Sequence, residues 1–421
     1  MLNGKKILIG VTGSIAIYKT LELIRLLIKQ NAKIKVIMTP SAKKFITPLT
    51  FETISQDNIL DDTNENWSNN SIDNHIAIGK WADLFILAPC SANTINKLSN
   101  GIADNILLQT ALAYPRIKLL CPAANTNMIE NPLTKASLKM LKLCNFKIIA
   151  PITKQLACND TGKGAMAEVN DIFHATVKEC LKDPYWIDRK VVLSGGGTIE
   201  KIDDVRYISN FSSGKMANAL ATALYYKGAD VCLVTTKDTS ELPKEIHTIK
   251  IDDTADMHAF LQDAIRVSKK GKLSEATLMD DSTPTLVQKT PYLFMVAAIS
   301  DYIPKYPQNG KIKKDDIGEV WNLELKQNID ILSSLDKDGI ISVGFKAEMD
   351  KNSAKSNAIN MIKTKNIDAV CLNIIDENNS FGSDTNQIEL FTKNNEILFN
   401  KNTKLNLSFD ILNQLQLEFK E

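Results

Sequence analysis

The chain has 421 residues, 44% hydrophobic, 24% charged and 6% aromatic, which calls for two or three folded domains and excludes a fibrous or wholly disordered chain. Lys+Arg number 50 and Asp+Glu 49, so the net charge is +1 and no global field draws the chain to nucleic acid or an anionic bilayer. Its seven widely spaced cysteines form no C-x-x-C pair and its histidines number four, so a disulfide framework or a His/Cys metal site is not expected, although carboxylates remain for a hard cation such as magnesium.

The opening MLNGKKILIGVTG runs directly into a strand-like segment with no signal-peptide pattern, and no stretch reaches about 18 apolar residues, so the expected location is the cytoplasm. Residues 5–9 read as a buried strand, 10–14 as a turn and 16–30 as a helix with Leu21, Ile24, Leu27 and Ile28 at helical spacing. Strands at 33–38, 84–88, 118–121 and 146–149 and helices at 94–98, 138–143 and 171–181 continue a β-α-β pattern. The polar segment KDPYWIDRK then precedes a second strand, glycine turn and helix at 190–193, 195–197 and 216–226, which sets a domain boundary near residue 185. Strands at 230–235, 292–297, 340–345 and 369–372, a helix at 353–363 and an exposed, aperiodic loop over 267–291 complete the reading. The expected fold is α/β, with two Rossmann-like three-layer domains, 1–185 and 186–421, built on mainly parallel sheets.

In the first half, Gly10-Val-Thr-Gly13-Ser14-Ile15-Ala16 lies between a strand and a helix start, which suits either a phosphate cradle or a plain tight turn. The strand ending in Ala88-Pro-Cys-Ser91-Ala92-Asn93-Thr94 delivers small and amide side chains to the carboxyl end of a parallel sheet, where ligands bind, or simply caps a helix through Ser91 or Asn93. A histidine such as His75 exchanges protons near neutral pH, although a lone one is more often a surface or core residue, and an isolated cysteine such as Cys158 is usually filler.

Longer strings narrow these choices. ADLFILAPCSANTINKLSNGIADNIL resembles the flavin-binding signature of the homo-oligomeric flavin-containing cysteine decarboxylases, and GVTGSIAIYKTLELIRLL resembles their N-terminal phosphate turn. HIAIGKW and PAANTNM, the latter with Ala124 where methionine is usual, follow in the family's order, so the resemblance covers about residues 1–180. It implies FMN held by Gly13, Ser14, Ile15, Thr39, Ser91, Ala92, Asn93, Thr94 and Asn105, with His75 as acid/base, Asn125 on the substrate carboxylate, and Met128 and Met166 against the substrate. QLACNDTGKGAM is similar to the family's substrate clamp, which implies Cys158 as proton donor; Asn159 and Ala165 stand where the clamp has glycine and arginine. Flavin suits this chemistry because a cysteine carboxylate cannot leave as carbon dioxide without an electron sink, and oxidising the thiol end supplies one.

In the second half, Gly195-Gly-Gly197 again follows a strand, and DVRYISNFSSGKM leads into a helix without the spacing of a P-loop. Arg206, one of five arginines, reads equally as an anion-binding group or as half of an ion pair with a nearby Asp. DVRYISNFSSGKM closely resembles the signature of phosphopantothenate-cysteine ligase, and AAISDY, KIKK, NIDIL, GFKAE, KNID and FGSD follow in order. Together the two halves resemble the bacterial bifunctional coenzyme A biosynthetic enzymes over nearly the whole chain.

The resemblance implies that 4'-phosphopantothenate is activated by CTP as an acyl-cytidylate, from which the amine of L-cysteine displaces CMP before decarboxylation to 4'-phosphopantetheine. It implies Asn210 as donor to the developing oxyanion and Lys311 on the phosphates. Asp301, Asp330, Ile331, Phe345 and Lys365 would line the CTP site, Arg206, Ser212 and Gly214 would contact substrate, and Mg2+ would be held through the nucleotide phosphates. Ile199, Ala217, Ile329 and Met361 depart from the usual arginine, glycine, proline and lysine. A homo-oligomer is implied, with trimeric decarboxylase and dimeric ligase contacts. Two alternatives stand beside this reading: a chain active in only one half, and a flavin-binding regulatory protein.

Overall fold

Strand β1 (Lys6–Val11) is buried at every position after Lys6, as befits a strand covered on both faces. It lies inside an all-parallel sheet with β2 (Lys33–Met38), β3 (Leu84–Cys90), β4 (Lys118–Pro122) and β5 (Phe146–Ile148), in the order β2-β1-β3-β4-β5. The chain leaves β1 toward one side and later returns to β3 on the other, so the loops at their carboxyl ends diverge and leave a crevice. The structure, a computed structural model, describes all residues except 69–70, 156–160, 275, 279–283, 314–317, 377–379, 381 and 421. These form two units, Met1–Leu181 with Ser274–Thr285, and Lys182–Leu273 with Leu286–Glu421.

The first unit covers its sheet with α1 (Ile17–Lys29), which buries Ile17, Leu23, Ile24 and Leu27, and with α2 (Pro48–Ser55). Helices α3 (His75–Trp81), α4 (Ala92–Ser99), α5 (Ile106–Ala113), α6 (Thr126–Glu130), α7 (Pro132–Leu143) and α8 (Val169–Leu181) follow. Leu8, Phe85, Leu87, Ile95, Leu107 and Leu120 share the core between sheet and helices. Helix α7 starts earlier than the periodicity predicts because Asn131 caps it, accepting from Leu133 N at 2.9 Å, and Pro132 occupies its first turn. The sequence reading lacks α3, which is short, and α5, whose ILLQTALA is too uniformly apolar to show a helical stripe. An antiparallel pair, β6 (Ile152–Gln155) and β7 (Thr161–Ala165), frames residues 156–160.

The second unit holds an eight-stranded sheet. Six parallel strands run in the order His247–Lys250, Asp230–Thr235, Lys190–Gly195, Tyr292–Met295, Ile341–Glu348, Ala369–Ile374, and two antiparallel edge strands, Ile388–Thr392 and Glu396–Leu398, complete it. The sheet is therefore mainly parallel, as expected. Helices Lys215–Tyr226, Thr254–Ser268, Lys351–Thr364 and Lys404–Glu418 belong to this unit, and Val192, Leu261, Leu293, Ala358 and Val370 share one of its cores. The segment 267–291 is less irregular than expected: the Thr254–Ser268 helix runs into it, and Lys272–Leu273 pairs antiparallel with Leu286–Val287.

Candidate active sites

At the carboxyl ends of β1 and β3 the first unit opens a cavity of about 1020 Å³. Thr12 ties its floor together, its Oγ1 donating to Pro89 O at 2.8 Å and accepting from Ser91 N at 2.9 Å. A Cβ on Gly13 would lie 2.7 Å from Ser41 Cβ, so the turn needs glycine where it passes the end of β2. Three helices start on this wall. Ser14 folds over the start of α1, Ser91 caps α4 by accepting from Thr94 N at 3.3 Å, and Asn105 caps α5 by accepting from Leu108 N at 3.0 Å. Three positive dipole ends thus converge on one cavity, a setting for a phosphate.

The cavity wall brings together Gly13, Ser14, Ile15, Thr39, Ser91, Ala92, Asn93, Thr94 and Asn105, and with them Asn125, Met128 and Met166. Asn125 caps α6, accepting from Asn127 N at 2.9 Å. The β6–β7 hairpin closes on this loop: Ala124 N donates to Gly164 O at 3.1 Å, and a Cβ on Gly164 would meet Ala124 O at 2.2 Å. Cys158 and Asn159 lie outside the described residues. Lys19, which sequence reasoning missed, also lines the cavity at 7% exposure, donating to Met166 O at 3.2 Å and Glu168 Oε2 at 3.0 Å. Lys19 holds the Glu168 carboxyl below its ordinary range. No sequence signal singles it out: only the structure shows it buried on α1 beside Ile17, Thr20 and Leu23.

His75 is not among the residues lining this cavity. It opens α3 beside the cap Asn74, whose Oδ1 accepts from Ala77 N at 2.8 Å. Its Nδ1 stands 2.8 Å from Glu65 Oε1, its amide donates to the same oxygen at 3.2 Å, and the Trp67 ring meets the imidazole edge-on at 5.2 Å. Burial pushes the Glu65 carboxyl up, but the two His75 donors outweigh it and leave the group below the usual carboxylate range.

The second unit has a cavity of about 400 Å³ lined by Asn210, Ser212, Gly214 and Phe345, together with Gly196, Lys215 and Lys404. Gly214 (φ +73°) sits immediately before the Lys215–Tyr226 helix in a left-handed conformation that disfavours other residues, leaving the helix start without a side-chain cap. Asn210 Nδ2 donates to Ile299 O at 2.9 Å, and Lys215 Nζ to Asp384 Oδ1 at 2.6 Å.

Other expected residues stand apart from this cavity. Lys311 lines a separate cleft of about 460 Å³ with Tyr306, Asn309 and Trp321. Asp330 caps the short helix Ile331–Ser334 and pairs with Lys365, while the Ile331 side chain is fully buried in the core. Asp301 is exposed, its carbonyl accepting from Asn328 N at 2.8 Å. Arg206 pairs with Asp203 at 3.0 Å and lies over the Trp321 ring. Asp203 also accepts from Val205 N at 2.8 Å, Arg206 N at 2.6 Å and Ile312 N at 3.2 Å, and Asp204 accepts from Gly310 N at 2.6 Å, so this turn anchors the strand of chain bearing Lys311. Burial alone would raise the Asp203 carboxyl, but those amides and the guanidinium hold it below the usual range. Among the described residues no cluster of His, Cys, Asp and Glu could hold a metal ion, and no helix is long and apolar enough to cross a membrane.

Two α/β units, each with a cavity set against helix starts and glycine turns after parallel strands, define a two-site α/β protein whose cavities lie where such folds bind anionic ligands. Residues 1–181 match the family described as "Flavoprotein", and residues 186–269 and 262–417 match "DNA/pantothenate metabolism flavoprotein C-terminal domain". The coenzyme A biosynthesis bifunctional protein CoaBC of Haemophilus influenzae is 34% identical over 98% of this chain and 98% of its own, and that of Bacillus subtilis is 35% identical over 99% and 97%. A solved C-terminal domain of a CoaBC protein aligns with a TM-score of 0.42 at 24% identity, covering 56% of this chain and 98% of that domain. The chain belongs to the family of bifunctional coenzyme A biosynthesis enzymes, with a decarboxylase half and a ligase half.

Proposed function

We propose that the second unit joins 4'-phosphopantothenate to L-cysteine at the expense of CTP, and that the first unit then decarboxylates the product, 4'-phosphopantothenoylcysteine, to 4'-phosphopantetheine with FMN. The observation that carries the first half of this reading is the convergence of three helix starts on a cavity that also holds Asn125 and the base of the clamp hairpin. Ser14, Ser91 and Asn105 would hold the flavin phosphate, with Ala92, Asn93 and Thr94 along the cofactor. When bound there, FMN would supply a reversible two-electron acceptor for the thiol end of the substrate, so that no external oxidant would be consumed. Asn125 fixes the substrate carboxylate, Met128 and Met166 exclude water, His75 moves the thiol-end proton, and Cys158 protonates the carbon that loses carbon dioxide.

In the ligase half, Asn210 donates to the oxyanion that forms when cysteine attacks the acyl-cytidylate, and Lys311 meets the triphosphate. Mg2+ would be held through the nucleotide phosphates. The assembly is a homo-oligomer with a trimeric decarboxylase and dimeric ligase contacts. The position of His75 outside its own chain's cavity fits a flavin site completed by a second subunit. The test is a visible spectrum of the purified protein combined with carbon dioxide and pyrophosphate release. A flavin band near one FMN per chain, with both products formed, is expected. A colourless protein that takes up no FMN would overturn the decarboxylase assignment.

A further inference from the structure

We propose that Glu65 is the positioning residue of His75: its carboxylate fixes the imidazole with Nδ1–H toward Glu65 and leaves Nε2 as the atom that exchanges the proton. The inference rests on the reading of His75 as the decarboxylase acid/base. Glu65 lies in the polar run Asp61-Asp-Thr-Asn-Glu65-Asn-Trp67, ten residues before the histidine and outside every string that carried the family resemblance.

The geometry is a two-point grip. His75 is the first residue of α3, where the backbone amide has no partner within the helix. Glu65 Oε1 takes that amide at 3.2 Å and the ring Nδ1 at 2.8 Å, so backbone and side chain of one residue converge on one oxygen. This arrangement restrains the rotation of the ring about its Cα–Cβ bond, and the edge of Trp67 at 5.2 Å closes another side. The side chains are 22% and 23% exposed, so the pair is partly withdrawn from water yet reachable by a substrate.

A carboxylate accepts but does not donate, so the ring nitrogen facing it is the protonated one and the neutral ring keeps its lone pair on Nε2. When Nε2 takes the thiol-end proton, the imidazolium gains its positive charge beside the Glu65 negative charge, and no proton leaves Nδ1. The ring is thereby kept in one tautomer, with Nε2 as the nitrogen that meets the substrate.

The experiment uses full-length protein with FMN bound and compares Glu65→Ala, Glu65→Gln and His75→Asn. Glu65→Ala should lower kcat for decarboxylation on the order of 10²-fold with little change in KM, FMN content or ligase turnover. Glu65→Gln, which keeps an oxygen acceptor but not the charge, should fall between the two. Nitrogen-15 NMR of labelled histidine should show the His75 tautomer as Nδ1–H in the parent and mixed in Glu65→Ala, and with four histidines in the chain the His75→Asn spectrum identifies the signal. Parent kcat in Glu65→Ala with no activity in His75→Asn would overturn the pairing while leaving the histidine assignment intact; full activity in His75→Asn would overturn that assignment instead. Loss of FMN together with kcat in Glu65→Ala, or an unchanged tautomer, would reduce Glu65 to a structural residue and also overturn the proposal.

Discussion

His75, Asn210 and Lys311, like Cys158, are singled out in the sequence as candidates by the strings they sit in, but what the His75, Asn210 and Lys311 side chains touch emerges only from the fold. On the proposed reading, His75→Asn should abolish carbon dioxide release while bound FMN and pyrophosphate release persist, since the imidazole would move protons and is not among the residues lining its own chain's cavity; undiminished carbon dioxide from that variant would sink the assignment. Cys158→Ser should let oxidation and decarboxylation proceed but stall the return to product, because a hydroxyl is a far poorer proton donor than a thiol with a pKa of about 8.5. Mass spectrometry should then find an oxidised enethiol. In the ligase half, Lys311→Gln should slow acyl-cytidylate formation by removing a charged contact to phosphate. Asn210→Asp should accumulate that intermediate when cysteine is supplied, with turnover lower by on the order of 10²- to 10³-fold. Quenched reactions separate the two, and build-up of intermediate in the lysine variant alone would reverse the roles. Glu65 and Lys19 escaped the sequence reading for opposite reasons. Glu65 lies in a run of solvated residues, whereas Lys19 lies within a recognised string and only its burial at the cavity marks it out.

Elements with strong periodicity or a buried apolar run, such as α1 and β1 to β4, were readable to within a few residues, because burial fixes both their period and their face. What could not be read was how loops fasten to one another. The Lys311 segment shows this best: KIKK looks like a solvated charge run, yet Ile312 N and Gly310 N are held by Asp203 and Asp204, and Gln308 N donates to Ile202 O at 2.9 Å. Asp203 carries Arg206 on its other side, so one buried carboxylate orders two segments that sequence assigns separately to the substrate and to the nucleotide. Asp203→Ala should release both, raising KM for CTP in the pyrophosphate assay and leaving carbon dioxide release from supplied 4'-phosphopantothenoylcysteine at the parent level. An unchanged KM for CTP would show that Lys311 needs no such anchor. The pH dependence has a definite sign: the folded Asp203 carboxyl titrates below its unfolded value, so the stability it contributes is present above the unfolded pKa and is lost as pH falls through the lower folded one.

At the scale of the whole molecule, the near balance of charge supplies no long-range attraction for anions, so on the proposed reading each unit would meet phosphate by its own local means. In the first unit these would be the helix starts at Ser14, Ser91 and Asn105; in the second they would be the uncapped start after Gly214 with the nearby Lys215 and Lys404, and Lys311 in its separate cleft. Each unit also has its own apolar core and its own sheet, so ligands should stabilise them separately. FMN at about a hundred times its dissociation constant adds about 2.7 kcal/mol to whichever unit binds it. For domains of this size that corresponds to a rise of roughly 5 to 10 °C in melting temperature. Calorimetry of the intact protein should therefore show FMN raising one transition and CTP with magnesium raising the other. His75→Asn should leave the FMN shift in place, because the imidazole is not used to hold the flavin, whereas Asn105→Ala should shrink it by removing a cap at a cavity wall. A single transition raised equally by FMN and by CTP would mean that the two units unfold as one, and the assignment of separate ligand sites would then have to be tested by binding alone.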